Sequence, residues 1–226
     1  MLFTLKKVSL FALFIFAGGV AVQAQVGFSI ATDASLLRNL TSGQKFTTLG
    51  QTITANFHIN KKQTVYAGIC YYVRGGYKNT LVAVEKDTTG GVTNLKYISN
   101  SKMGYQQISL GLKHYFAGGY DNEEGLNIYG TAGFGLLSGK AENVFDRVVD
   151  SARYKIPDQS IEGSGRFKRL TFDLSLGAET ALAAGFFMYG ELRTWLPASS
   201  YPSPYLYNNN TPDVLLLNVG VRILFE

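Results

Sequence analysis

Apolar and polar residues alternate with a period of two along most of this chain, and the pattern is clearest in its last strand-like stretch. Leu217, Val219, Val221, Ile223 and Phe225 share one parity, while the intervening positions include an amide, a glycine and a guanidinium. Successive side chains of a β-strand point to opposite faces, so each parity is one face of a sheet. The stretch therefore predicts a strand with one apolar and one mainly polar face.

The same alternation occurs in seven earlier segments, which gives eight predicted strands. Their approximate ranges are 26–35, 53–59, 65–74, 107–116, 126–136, 170–180, 186–195 and 214–225. Short connections at 60–63, 117–125 and 181–185 alternate with longer, more polar ones. An even number of strands with short turns at one end and long loops at the other is typical of outer-membrane barrels. The pattern predicts an all-β fold, an eight-stranded antiparallel up-and-down transmembrane β-barrel.

Charged residues indicate which face points into the barrel. The polar parity holds four acids and four bases, namely Asp33, Arg74, Lys113, Asp173, Glu179, Glu191, Arg193 and Arg222. A basic side chain facing lipid near the membrane midplane costs roughly 2–4 kcal/mol. We therefore expect the apolar parity to face lipid and the eight charges to form an ion-pair network in a polar lumen. A soluble ligand-binding barrel is a weaker alternative, because it requires the opposite orientation.

Within this network we expect two layers, counted from the short turns. Lys113, Glu179, Glu191 and Arg222 form the lower layer, and the other four charges lie higher. Glu191 is expected to pair with Arg193 or Arg222. Five outward phenylalanines near strand ends predict a periplasmic aromatic girdle; they are Phe28, Phe57, Phe116, Phe186 and Phe225.

The first residues have the features of a secretory signal peptide. Lys6 and Lys7 precede an apolar run at 8–22, and small residues at Val22 and Ala24 suit cleavage after Ala24. We predict a signal peptide at 1–24, a single barrel domain at 25–226 and a location in the cell outer membrane. Loss of the two lysines reduces the formal charge from +5 to +3.

Composition narrows the possible classes of function. Charged residues make up 16% of the chain, below the roughly 25% usual in soluble domains. The charge is mildly basic and no basic stripe with interleaved aromatic residues occurs, so nucleic acid is not an expected partner. The single cysteine, Cys70, allows neither an internal disulfide nor a thiol metal site. We predict no cofactor and no metal.

Candidate catalytic and binding residues are few. His114 is predicted to face lipid, and His58 to face the lumen close to a short turn, so no nucleophile–base pair is expected at the outer rim. No catalytic activity is predicted. The last outer loop contains Tyr201, Tyr205 and Tyr207, which predict either a partner-binding loop or a rim that packs on itself. The long loop before the sixth predicted strand is basic, which allows either contact with lipopolysaccharide phosphates or simple solvation.

With these residues in place, the chain from Gln25 to Glu226 resembles the small outer-membrane β-barrel family of Gram-negative bacteria. That family includes the OmpA transmembrane domain, OmpX-like and opacity-type proteins, and the PorT-like barrels of Bacteroidota. Residues Leu217, Val219, Val221, Ile223 and Phe225 resemble its terminal assembly signal, although Glu226 follows the aromatic residue. The resemblance implies recognition by the barrel assembly machinery.

The resemblance also implies a function class. It suggests a structural or interaction role, through loop presentation or binding of a surface or secretion-system protein, with outer-membrane lipid and lipopolysaccharide as further partners. A narrow gated channel and a rim enzyme acting on lipid are the alternatives.

Overall fold

A computed structural model describes residues 27–87, 94–157, 161–200, 203–209 and 213–225. The predicted signal peptide at 1–24 lies outside these ranges. In the described part of the chain, no helix is long and apolar enough to cross a membrane.

Nine β-strands make up the described structure. They are β1 (Gly27–Asn39), β2 (Phe46–Asn60), β3 (Gln63–Glu85), β4 (Asn94–Ala117), β5 (Leu126–Phe145), β6 (Tyr154–Lys155), β7 (Gly163–Ala183), β8 (Phe186–Pro197) and β9 (Val214–Phe225). The strand β6 has only two residues and pairs with the far end of β3.

The other eight strands close into a ring. The order of hydrogen-bonded neighbours is β2-β1-β9-β8-β7-β5-β4-β3, and a further pairing of β3 with β2 completes the circle. Every pairing is antiparallel, including that of the last strand with the first, where Ile30 lies opposite Ile223. The predicted eight-stranded up-and-down barrel is confirmed, and closure leaves no free sheet edge within the ring.

The short turns lie at the end of the barrel where β1 begins and β9 ends. Their own residues stabilise them. Between β2 and β3, the side-chain oxygen of Asn60 accepts hydrogen bonds from the backbone N–H groups of Lys62 and Gln63, both at 2.9 Å. Between β7 and β8, Gly185 has a φ of 72°, a left-handed conformation that glycine adopts without steric cost.

The outside of the barrel is an apolar belt. We use this name for the outward side chains of residues 28–36, 49–59, 65–73, 108–116, 126–136, 170–182, 186–196 and 215–225. Phe134 is 66% exposed and Ile108 is 62% exposed. Each segment is close to the roughly 9–11 residues that a tilted strand needs to cross a bilayer. Lipid is the environment that such a surface requires.

The predicted aromatic girdle lies at one end of this belt. Phe57, Phe116, Phe186 and Phe225 are all exposed. The ring of Phe28 lies 5.2 Å from that of Phe57 and 5.8 Å from that of Phe225.

The expected polar lumen occupies only part of the interior. Charged and amide side chains fill the half nearest the short turns. The other half contains a buried apolar cluster, made of Leu37, Phe46, Cys70, Tyr72, Tyr77, Met103, Tyr105, Leu137, Ala141, Phe167, Trp195, Leu206, Val214 and Leu216. Several of these residues continue the inward parity of their strands beyond the polar positions.

Four strands extend well past the apolar belt, where the sequence predicted long loops. The strands β3, β4, β5 and β7 have 20 to 24 residues, whereas β1, β2, β8 and β9 have 12 to 15. The extension forms a sheet on one side of the barrel, which we call the outer sheet. It comprises residues 75–85 of β3, 94–103 of β4, 141–145 of β5 and 163–165 of β7, together with β6.

Candidate functional sites in the lumen and on the outer face

The strongest cluster of charged groups surrounds Glu179 on β7. Its carboxylate accepts hydrogen bonds from Lys113 Nζ at 3.0 Å, from Tyr115 Oη at 2.8 Å, and from two nitrogens of Arg222 at 2.6 and 3.2 Å. Arg222 also donates to the backbone carbonyl of Tyr120 in a short turn, at 2.7 Å. Glu179 is only 1% exposed. The buried carboxylate links β4, β7 and β9, and Arg222 joins a short turn to them.

Aromatic rings complete the environment of the two cations. Lys113 Nζ lies 3.5 Å from the ring centroid of Tyr129, and the Arg222 guanidinium lies 4.0 Å from that of Phe187. Such cation–π contacts stabilise desolvated cations. Because Lys113, Glu179 and Arg222 lie on three different strands, the cluster is suited to hold the barrel together.

A second ion pair lies higher in the lumen. Arg193 on β8 donates from Nε to Glu191 at 2.8 Å, and Asn218 donates to the same carboxylate oxygen at 3.3 Å. The amide oxygen of Asn218 accepts a hydrogen bond from Ser35 at 2.5 Å, and Ser35 also bonds the hydroxyl of Tyr72. Glu191 therefore pairs with Arg193, whereas Arg222 belongs to the cluster around Glu179.

Asp33 and Asp173 are buried but form no ion pair among the described residues. The carboxylate of Asp33 accepts hydrogen bonds from the backbone N–H of Thr52 and the hydroxyl of Tyr189, both at 3.0 Å. Asp173 accepts from Gln107 at 3.0 Å and from a threonine at 2.7 Å. The expectation that four acids face four bases is therefore wrong for these two acids. Both accept hydrogen bonds from neutral donors instead.

Arg74 corrects the predicted network in another way, because it lies outside the lumen. The ladder between β3 and β4 shifts register between Tyr72 and Gly75, and this bulge puts both Val73 and Arg74 on the outer face. Arg74 is exposed and pairs with Glu142 on the outer face, at 2.9 Å.

A buried base that the sequence placed in a loop takes the inward position instead. Arg169 lies on β7, is 2% exposed and donates to the backbone carbonyl of Asn209 in the last loop. Arg169 has the same parity on β7 as Asp173 and Glu179. That parity predicts an inward side chain only if the strand is known to begin well before residue 170. With Arg169, the four buried acids lie in a lumen with four buried bases.

The histidines and the cysteine are in structural positions. His58 is buried beside a short turn, where its ring nitrogens contact Ser29 Oγ at 2.9 Å and Thr64 Oγ1 at 2.8 Å. His114 is on the outer face. Cys70 is buried in the apolar cluster. Within the described ranges, no group of three or more His, Cys, Asp or Glu residues is placed to hold a metal ion.

The tyrosines of the last loop differ in their surroundings. Tyr205 is half-buried and packs against the apolar cluster of the upper lumen, next to the fully buried Leu206. Tyr207 is 38% exposed, and its ring lies so close to Gly43 that a side chain there would collide with it. Tyr201 lies outside the described residues. Leu206 and Tyr205 thus cap the barrel, and a partner-binding role for the tyrosines of this loop stays a prediction.

The residues that resemble an assembly signal all lie on the outward face of β9. Leu217, Val219, Val221 and Phe225 are 40–55% exposed, and Ile223 shares their parity. The first strand covers one edge of β9 and β8 covers the other.

Comparison with known proteins supports the fold. No family model and no curated protein matches the sequence. Among solved structures, Neisserial surface protein A is 13% identical, with 88% of this chain and 97% of that chain covered and a TM-score of 0.53. The outer membrane protein OprG from Pseudomonas aeruginosa is 14% identical, with 89% and 96% covered and a TM-score of 0.52.

A major outer membrane protein from Thermus thermophilus is similar to the same extent. It is 11% identical, with 89% of this chain and all of that chain covered and a TM-score of 0.51. The chain therefore has the fold of the small outer-membrane β-barrels that its sequence resembles. This fold and the apolar belt together place it in the outer membrane.

Proposed function

We propose that this protein is an integral outer-membrane barrel with a structural or interaction role, in which the barrel anchors the outer sheet at the cell surface as a rigid binding platform. The observation behind this proposal is that the outer sheet has a buried core of its own, separate from the lumen. We expect no catalytic activity.

The core of the outer sheet lies beyond the apolar belt. Leu81, Ala83 and Tyr97 are buried there, and Leu95, Phe145, Val149 and Tyr154 pack against them. A segment that only joined two strands would have no reason to bury apolar residues. The sheet is therefore held as a folded unit rather than as a loose loop.

The segment that follows β5 is fastened to the edge of this sheet. The strand β6 pairs with the end of β3, with Val84 opposite Lys155. Arg153 donates to Glu85 at 2.8 Å, and this hydrogen bond raises the pKa of the Arg153 guanidinium. Burial raises the pKa of the Tyr77 phenol at the base of the sheet to about 12.

The outward face of the outer sheet combines apolar and positive side chains. Val82 and Ile98 are each 39% exposed, and Lys78, Lys96 and Lys102 lie on the same face. Exposed apolar side chains on a rigid surface provide contact area for a partner at little entropic cost. We infer a protein partner with an acidic rim, at the cell surface or in a secretion system.

The terminal strand has a separate role in this proposal. The outward apolar residues from Leu217 to Phe225 would be recognised by the barrel assembly machinery before β9 closes against β1. A secretion role, which the resemblance to PorT-like barrels implies, stays a prediction. The filled upper lumen, with Trp195 and Arg169 fully buried, favours an anchor over an open channel.

Site-specific photo-crosslinking in intact outer membranes tests the proposal. A photoreactive residue at Val82 or Ile98 is expected to give a discrete protein adduct, because both positions lie on the outward face of the outer sheet. The same residue at Leu110, in the middle of the apolar belt and 60% exposed, is the matched control and should react with lipid alone.

A deletion variant gives the second arm of this test. Replacement of residues 79–99 by Asn-Gly joins Lys78 to its register partner Asn100 and removes the tip of the outer sheet. A photoreactive residue at Lys102, which the deletion retains on the same outward face, should give the protein adduct in the unmodified chain and lose it in the deletion variant, while the barrel remains folded. If Val82 and Ile98 give no protein adduct in native membranes, the interaction role is wrong and a purely structural role takes its place.

A further inference from the structure

The apolar belt ends abruptly on one side of the barrel, where β3, β4, β5 and β7 lie side by side. Residues directly opposite one another on these strands form rows across the outer face. The last apolar row is Ile69, Ile108, Leu136 and Leu170. One step along the strands towards the outer sheet, the next row on the outer face is Tyr71, Gln106, Ser138 and Lys168. The row after it contains Gly104, Lys140 and Arg166. The surface thus changes from apolar to basic within two rows.

The bulge in β3 adds Arg74 to this basic row. Because the register shifts between Tyr72 and Gly75, the Arg74 side chain points outward beside Lys140 and Arg166. Gly104 makes room for it, since a Cβ at that position would lie 3.1 Å from Cγ of Arg74.

These residues line a groove with a polar and an apolar part. The polar part has a volume of about 280 Å³ and is lined by Arg74, Lys140, Arg166 and their neighbours. The apolar part, about 490 Å³, is lined by Ile69, Ile108 and Leu136. Tyr71, Gln106 and Ser138 line both parts, so the two are continuous across the border of the apolar belt.

Most of the positive charge in the groove is unpaired. Arg74 contacts Glu142 at 2.9 Å, with both side chains about 40% exposed. Within the described part of the chain, Lys140, Arg166 and Lys168 have no acidic group within 4.0 Å. An exposed ion pair contributes little free energy in water. Arg74 can therefore exchange Glu142 for a phosphate group.

The opposite side of the barrel lacks this concentration of charge. Just beyond the apolar belt on that side, the outward row contains Arg38 and Thr47, which lie opposite each other. Its one base, Arg38, donates to Thr47 at 2.7 Å. The basic cluster is therefore a local feature of one face and not a general property of the rim.

We propose that this groove binds a phosphorylated lipid of the outer leaflet. The headgroup phosphate would lie between Arg74, Lys140 and Arg166, and an acyl chain would lie along Ile69, Ile108 and Leu136. Guanidinium and ammonium groups form strong charge-assisted hydrogen bonds with phosphate oxygens. The adjoining apolar part of the groove, which faces the hydrocarbon of the membrane, selects a lipid over a free phosphate. This inference rests on the proposed outer-membrane location but not on a protein partner for the outer sheet.

Titration of the purified barrel with lipid A in neutral detergent, followed by native mass spectrometry, tests the site. The unmodified protein is expected to retain one bisphosphorylated lipid A. A variant with Arg74→Gln, Lys140→Gln and Arg166→Gln should bind it at least about tenfold more weakly, because it loses three charge-assisted contacts. Dephosphorylated lipid A should bind the unmodified protein at least about tenfold more weakly for the same reason.

A second triple variant controls for net charge. Lys45→Gln, Lys61→Gln and Lys62→Gln remove the same charge at exposed positions outside the groove, so lipid A affinity should stay unchanged. A difference in gel mobility between unboiled and boiled samples verifies that each variant is folded. A single Lys140→Arg variant, which keeps the charge, should bind as the unmodified protein does.

Several outcomes would overturn the proposal. They are equal binding by the groove variant and the unmodified protein, equal binding of phosphorylated and dephosphorylated lipid A, and full displacement of lipid A by millimolar inorganic phosphate. None of them depends on whether the outer sheet gives a protein adduct, so the lipid site and the proposed platform can fail separately.

Discussion

Glu179 accepts hydrogen bonds from three different side chains in the lower lumen, two of which are positively charged. Lys113 and Arg222 are themselves buried, at 7% and 1% exposure. Desolvated charges are stable only when they are paired and hydrogen-bonded. The carboxylate of Glu179 is therefore the group on which the placement of both cations depends.

We expect Glu179→Gln to lower the free energy of unfolding by about 3–5 kcal/mol, because it leaves two buried cations without a counter-charge. Urea unfolding in detergent micelles, followed by the fluorescence of the single tryptophan, Trp195, gives the value. The matched control is Glu142→Gln, which removes a half-exposed partner of Arg74 and should cost at most about 1 kcal/mol. Equal unfolding midpoints for the two variants would contradict a stabilising role for the Glu179 cluster.

Arg74 and Arg169 are two residues whose face of the strand is predicted wrongly or missed when parity alone is used. Parity along β3 predicts an inward Arg74, and the bulge before Gly75 reverses that assignment. Arg169 lies on the inward parity of β7, but it precedes the range that alternation identified as a strand. Both errors come from the same source, since parity is meaningful only where the extent and continuity of a strand are known.

At the scale of elements, the loop between β8 and β9 is part of the interior. Leu206 is fully buried in the same apolar cluster as Trp195, and Tyr205 packs against that cluster. Asn143 reinforces this position, because its side-chain nitrogen donates to the carbonyls of Ile161 and Tyr205, both at 3.0 Å. The loop therefore closes the outer end of the lumen.

Leu206→Ala should loosen this closure. Loss of a buried leucine side chain costs about 2–5 kcal/mol. We expect greater quenching of Trp195 fluorescence by acrylamide, because water then reaches the upper lumen. Pro204→Ala is the control, since Pro204 is exposed in the same loop and its replacement should leave quenching unchanged. Unchanged quenching in both variants would show that the loop does not seal the lumen.

At the scale of the whole molecule, the barrel has apolar side chains outside and charged side chains inside, the opposite of a soluble protein. Large apolar residues cover the outside, and seven of the eight predicted charges lie buried within. Closure satisfies the backbone hydrogen bonds of the ring, which a bilayer demands. The outer sheet then extends from one side of this anchor.

This arrangement predicts a difference in gel mobility between unboiled and boiled protein taken from an outer-membrane fraction. A closed barrel resists detergent until it is heated, so the folded form should migrate apart from the unfolded one. The deletion of residues 79–99 should preserve the difference, because it leaves all eight strands of the ring in place. Protein that is soluble in the periplasm and shows no mobility difference would instead favour a soluble ligand-binding barrel.

The sequence by itself determined the strands of the ring, the face of each strand that meets lipid, and the end at which the chain turns tightly. These properties follow from the two-residue period of the extended backbone and from local turn chemistry, as at Asn60 and Gly185. Most buried charges were identified for the same reason, because Lys113, Glu179, Glu191 and Arg222 lie within uninterrupted strands.

Only the tertiary structure decided which charges pair, where the lumen becomes apolar and how far the strands continue. Lys113 on β4 and Arg222 on β9 meet at Glu179 on β7, and Leu206 enters the lumen from a loop distant in sequence from most of its neighbours. The outer sheet is stabilised because residues such as Leu81 on β3 and Tyr97 on β4 pack together in its core. Contacts of this kind depend on which strands become neighbours and on how far their pairing continues, which no local pattern of residues encodes.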